Sequence, residues 1–174
     1  MEELKARAPG ARTVDWNALR VRATADFQFG RGAADAVLRG TVSYVISKNT
    51  GRIRNVLVDG EHVLSLRAED VLLTLKAAGA RRLHEAFAPP ALRIVVDDDA
   101  VPFAREGKNV FAKFVRDADP GLRPKDEALI VSADDALCAV AQASMNRREM
   151  LAFRRGVAAY VREGVPPPSS APPR

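Results

Sequence analysis

The sequence predicts an α+β fold in two units: an antiparallel sheet with helices, then a small closed β-barrel. Three observations carry this. The apolar period changes from helical to alternating near residue 41. Ala88-Pro89-Pro90 interrupts the chain at its middle. Beyond it, short strand-like runs follow one another with a single main helix in about 75 residues.

The elements follow in order. Residues 1–13 are small, polar and Pro/Gly-punctuated, and are expected to be flexible. From Val14 to Phe29, Trp16, Leu19, Ala23 and Phe27 recur at helical spacing, with Asp15 placed to cap. Gly30-Arg31-Gly32 ends that helix, and Ala33 to Leu38 gives a second, stopped at Gly40. Thr41–Ser47 and Arg52–Val58 read as strands around an Asn49-Thr50-Gly51 turn. Asp59-Gly60 is a two-residue hairpin signal, leading to strands at Glu61–Leu66 and Val71–Leu75. A helix over Ala77–Phe87 closes this first unit, 14–88, and 89–91 is a linker.

The second unit, 92–164, opens with the strand Leu92–Val96. Asp97-Asp98-Asp99 supplies a carboxylate cap for a helix running to Arg105, which Gly107 stops. Strands are predicted at Val110–Val115, Ala128–Val131, Leu137–Ala143 and Gly156–Val161, with a helical turn through Met150. Residues 165–174, rich in proline, read as a disordered tail.

Composition narrows the function classes. The 174 residues are 47% apolar, enough for a real core, and no apolar run approaches a membrane span. The N-terminus does not read as a secretory signal, and the single cysteine, Cys138, fits a reducing compartment, so a cytoplasmic location is expected. Net charge is +5, a modest bias toward an anionic partner. His62, His84 and Cys138 are scattered, so neither a metal nor another cofactor is expected. Gly30-Arg31-Gly32 lacks the third glycine and the preceding strand of a dinucleotide fingerprint. There is no phosphate-loop lysine motif and no nucleophile elbow, and no catalytic residue is assigned.

The cations offer more. Arg105, Lys108, Asn109, Lys113 and Arg116 gather at one helix–strand corner, and Gly107 there is expected to leave backbone N–H groups for a phosphate. Arg147-Arg148 and Arg154-Arg155 lie near the last strand. Phe111 reads first as core, because its strand is apolar, and second as a stacking surface. A solvated face balanced by acids explains these charges as well as RNA binding does.

The second unit, from Leu92 to Glu163, resembles a PUA domain, an RNA-binding pseudobarrel. The similarity rests on Val95-Val96-Asp97, Gly107-Lys108-Asn109-Val110-Phe111 and Ala118-Asp119-Pro120. Arg123-Pro124, Asp126-Glu127, Leu137–Ala143 and Phe153-Arg154-Arg155-Gly156-Val157-Ala158 extend it. The first unit resembles the domain that precedes PUA in archaeal tRNA-guanine transglycosylases, the archaeosine enzymes, through Ala25–Ala33, Thr50–Arg54 and Asp59-Gly60-Glu61. The catalytic barrel of those enzymes has no counterpart here.

The resemblance implies a non-catalytic tRNA-binding protein in tRNA modification, with no membrane association. Its implied partner is a separate transglycosylase or archaeosine-forming enzyme. A free-standing RNA-binding module in ribosome assembly or translation is the alternative, and the oligomeric state is open. The resemblance implies an RNA surface of Gly107, Lys108, Asn109, Phe111, Lys113, Arg154 and Arg155, to which the cationic corner adds Arg105 and Arg116. Two departures from the family pattern stand out. Lys125 follows Pro124 where glycine is common, which predicts a type I turn, and Ala141 replaces a strand glycine at the groove.

Overall fold

The computed structural model describes residues 15–167. The expected flexible N-terminus lies outside that range, as does the tail beyond residue 167. Val165, expected to begin the tail, instead belongs to the folded body: it is buried and its N–H donates to Cys138 O at 2.8 Å.

Helix α1 spans Trp16–Phe29, and the Asp15 carboxylate accepts from the N–H groups of Asn17 (3.0 Å) and Ala18 (3.2 Å). The predicted apolar stripe does not face the core. Val21, Ala25 and Phe29 are the buried residues of α1, while Trp16, Leu19, Ala23 and Phe27 are exposed. Helix α2 (Ala33–Val37) follows at once. Strands β1 (Val42–Ile46), β2 (Ile53–Val58), β3 (Glu61–Leu66) and β4 (Leu73–Leu75) form an antiparallel sheet in chain order. Helix α3 (Ala77–Ala86) lies so close to β3 that a Cβ on Gly79 would sit 2.4 Å from the Val63 carbonyl oxygen.

The second unit contains β5 (Arg93–Val96), α4 (Val101–Arg105), β6 (Val110–Phe111), β7 (Val115–Ala118), β8 (Glu127–Val131), β9 (Leu137–Ala143), α5 (Arg147–Ala152) and β10 (Val157–Gly164). Its sheet runs β6-β10-β9-β8-β5-β7, parallel only between β5 and β8. A 3-10 turn at Ala112–Phe114 joins the outermost strands β6 and β7, so the sheet curls into a nearly closed barrel. The single strand expected over Val110–Val115 is therefore broken, because the chain must leave β10 and cross to β5 within three residues. None of Asp97, Asp98 and Asp99 caps the following turn by its side chain; Asp97 instead pairs with Arg116. Near the barrel's end a Cβ on Gly164 would meet the Arg105 carbonyl oxygen at 1.8 Å.

The two units share a core. Val56, Leu64, Leu75 and Leu83 of the first pack in one buried cluster with Leu129, Val131 and Val140 of the barrel. Polar contacts cross the same seam. The buried Arg93 guanidinium donates to His84 O (2.9 Å), Ala91 O (2.9 Å) and the Asp135 carboxylate (3.1 and 3.3 Å). The buried Glu127 carboxylate accepts from Leu75 N–H at 3.2 Å and from Arg162 Nε at 3.0 Å. The barrel keeps a second cluster of its own, which includes Ile94, Ile130, Ala141 and Ala158.

Candidate nucleic-acid interface

Helix α4 ends in a Schellman arrangement. Gly107 has φ 84°, its N–H donates to Ala104 O at 3.0 Å, and Lys108 N–H donates to Phe103 O at 2.9 Å. Both N–H groups are thus spent on the helix end, which corrects the expectation that they are free for a phosphate. Gly107 serves this corner by turning the chain, not by donating.

Beyond the turn, Asn109 is used structurally: its Oδ1 accepts from Val161 N–H at 3.0 Å and ties the corner to β10. Lys108 Nζ sits 2.9 Å from Glu106 Oε2 and 5.1 Å from the Phe103 ring centroid. Val110 turns into the core, which sends Phe111 outward at 45% exposure. The reading of Phe111 as a core residue therefore fails. Phe103, Phe111 and Phe114 line an apolar slot of about 260 Å³ with Ala100, Ala104, Lys108, Asn109 and Val110. Such a slot accepts a flat apolar face, and two of its aromatics have a cation beside them. Lys113 Nζ lies 4.6 Å from the Phe114 centroid.

The turn before β10 brings more cations beside β6. Ala112 N–H donates to Gly156 O at 3.0 Å, and Val157 pairs with Phe111. The Arg154–Arg155 turn consequently lies beside Phe111 and Lys113. Arg154, Arg155 and Lys113 are exposed or nearly so and have no carboxylate partner among the described residues.

The other predicted cations stand differently. Arg116 is held by Asp97, whose hydrogen bond and charge raise its pKa. Arg147 Nε is 2.7 Å from Asp117 Oδ1, and this bond holds the Asp117 carboxyl low. Arg105 is half-buried, and its Nε is buried with no hydrogen-bond partner. Its charge reaches Asp134, whose pKa is lowered first by the Ser132 hydroxyl and only lastly by Arg105. The geometry therefore sorts the predicted set into free cations (Lys113, Arg154, Arg155), neutralised ones (Lys108, Arg116) and fixed structural groups (Gly107, Asn109).

Both departures from the family pattern resolve against expectation. Lys125 takes φ 79° itself, with Asp126 N–H donating to Arg123 O at 3.1 Å, so the glycine-type turn survives with lysine in it. Ala141 is fully buried in the barrel core, so its methyl group does not narrow a groove. Sequence reasoning missed Phe103. Its helical neighbours four residues away, Asp99 and Gly107, are not apolar, so no ridge continues from it and an outward position was legible.

Residues 19–90 match the family model described as the patch-forming domain C2 of tRNA-guanine transglycosylase, and residues 92–165 match the PUA domain. The tRNA-guanine(15) transglycosylase of Thermococcus onnurineus is 48% identical over 164 residues, covering 94% of this chain and 27% of that protein. That of Thermococcus kodakarensis is 50% identical over 145 residues, covering 83% of this chain and 25% of that protein. The chain thus spans about a quarter of the length of the curated relatives it matches. A hypothetical protein of Pyrococcus horikoshii superposes with a TM-score of 0.68 at 23% identity, covering 85% of this chain and 89% of that one. A conserved PUA domain protein from Thermoplasma acidophilum gives 0.59 at 17% identity, covering 84% and 89%. These two likenesses show the fold.

Proposed function

Because the chain carries the C2 domain of tRNA-guanine transglycosylase followed by a PUA domain, we propose that it is a non-catalytic tRNA-binding protein of tRNA modification. It presents tRNA to a separate transglycosylase or archaeosine-forming enzyme. We take 14–88 and 92–164 as its two units, joined through 89–91. The chemistry is assigned to the part of the relatives beyond the quarter that this chain matches.

The observation that carries the RNA surface is the juxtaposition of an apolar aromatic slot with three unpaired cations. Unpaired nucleotides are bound by stacking on aromatic faces while cations track the backbone. Phe111, with Phe103 and Phe114, supplies the stacking face. Lys113, Arg154 and Arg155 neutralise phosphates, and Lys108 and Arg116 assist only when RNA competes with their own carboxylates. Arg105, Gly107 and Asn109 shape the corner. This arrangement suits an unpaired end next to a duplex, as at the acceptor end of a tRNA.

Binding of tRNA, measured by fluorescence anisotropy across a salt series, tests the reading. Micromolar or tighter affinity is expected, with log K falling as log salt rises by about 0.9 for each duplex phosphate neutralised. Lys113→Glu with Arg154→Glu is expected to weaken binding at least tenfold at moderate salt. Unchanged affinity in that double variant sinks the proposed surface.

A further inference from the structure

Helix α1 is apolar on two opposite sides. At about 100° per residue, Val21, Ala25 and Phe29 occupy one side, and Trp16, Leu19, Ala23 and Phe27 fall within an arc of roughly 80° on the other. The first side is buried in the shared core. The second is open: Trp16 is 70% exposed, Leu19 51% and Phe27 84%. Scattered surface apolar residues are ordinary, but a continuous stripe containing two aromatics marks an interaction site. A helix apolar on both sides is built to be covered on both.

The surroundings point to a polypeptide as the cover. Arg20 of α1 lines one cavity with Ser47, Ile53 and Arg54, so the end of β1 and the start of β2 lie near α1. β1 is the outer strand of its sheet, with Val45 and Ile46 exposed, and a free strand edge offers hydrogen bonds that suit another chain. RNA is less well matched. Arg22 is bound to Asp35, which leaves Arg20 as the α1 cation without a carboxylate partner among the described residues. A 14-residue helix presents a face of about 21 Å by 10 Å, far below the roughly 800 Å² per partner of a stable interface, so its partner must be large enough to reach beyond α1 onto neighbouring surface such as the β1 edge.

We propose that the outer face of α1, through Trp16, Leu19 and Phe27, is the seat for the polypeptide that corresponds to the remaining three quarters of the transglycosylase relatives. The match lies in the C-terminal part of those relatives, so their remaining length precedes the residues aligned with α1. Helix α1 is the described element nearest to that junction. The seat rests on the proposed function for the identity of its partner, but uses a surface separate from the RNA slot.

Trp16 is the single tryptophan of the chain, so 5-fluorotryptophan labels this face alone. The full chain is used to capture partners from lysate of its source cell, with capture products identified by mass spectrometry. The captured polypeptide is then purified and added to the labelled chain. Expected are capture of a homologue of the relatives' remaining portion and a shift of the fluorine resonance on its addition. Trp16→Ser with Phe27→Ser is expected to reduce capture at least tenfold while tRNA affinity stays within twofold. The proposal is overturned if no such homologue is captured, or if the double variant captures it equally. It is also overturned if the resonance moves with tRNA alone or with rising concentration of the chain alone. Loss of tRNA binding with capture intact would strike the RNA reading and leave this seat standing.

Discussion

Arg162 donates to Glu127 across the barrel wall, Nε to Oε1 at 3.0 Å, and the carboxylate is buried while the arginine is partly open to solvent. Burial raises the Glu127 pKa, and Arg162 and the Leu75 N–H pull it down without cancelling the rise. The folded protein therefore holds a proton more tightly at Glu127 than the unfolded chain does. This group contributes stability that is fully present below its unfolded pKa and is lost as pH rises through its folded pKa.

Removing the arginine sharpens that dependence. Arg162→Ala leaves a buried carboxylate without its cation and is expected to cost about 3 kcal/mol at pH 7. The loss should be smaller at pH 5 than at pH 7, because removing the cation raises the carboxyl's pKa further and favours its protonated form as pH falls. Urea unfolding at both pH values checks this, and an equal loss at each would contradict it.

Lys125→Gly should stabilise the protein. Lysine holds φ 79° in the turn Arg123–Asp126, and a left-handed conformation costs a side-chain-bearing residue about 1–2 kcal/mol. Glycine's greater freedom in the unfolded chain offsets part of this. A net gain of about 0.5–1 kcal/mol is expected by denaturant titration, with tRNA affinity changed only by the lost charge.

Gly164→Ala should be among the most damaging single-methyl additions. The new Cβ would fall 1.8 Å from Arg105 O, a backbone atom that moves only if α4 moves. A loss of about 3 kcal/mol or more is expected in thermal or urea unfolding.

Phe111→Ala and Lys113→Ala should separate stacking from charge. Lys113→Ala is expected to reduce the steepness of the salt dependence by about 0.7–0.9. Phe111→Ala should leave that slope unchanged and cost about 1–3 kcal/mol at every salt concentration. Lys108→Ala should change the slope less than Lys113→Ala, because Glu106 already neutralises Lys108.

Much of this was legible in the sequence, and the exceptions share a cause. Strand alternation, the Asp59-Gly60 hairpin and the Gly107 helix stop are local signals, and local chemistry decided them. The helical spacing of Trp16, Leu19, Ala23 and Phe27 did not say which side of α1 faces inward, because two apolar stripes compete on one helix. The smaller residues Val21 and Ala25, with Phe29, win the core, and the larger ones are left outside. Phe111 was mistaken because the apolar character of its segment outweighed its alternation: Val110 and Ala112 turn inward, and Phe111 and Lys113 face outward. At the interface the residue types were readable, but which cations were already taken was not. Asp97 and Asp117 are each at least 19 residues from the arginine they hold.

The common core bears on inheritance. The two family models divide this chain between residues 90 and 92, as though it were assembled from interchangeable parts. Leu129, Val131 and Val140 of one part nevertheless pack with Leu64, Leu75 and Leu83 of the other, and Arg93 grips His84 across the division. A gene fusion that took the barrel alone would carry away half of a packed interior and an arginine that keeps Asp135 but loses His84. Selection on either part is therefore selection on both, and the pair is expected to travel through genomes as a single heritable piece.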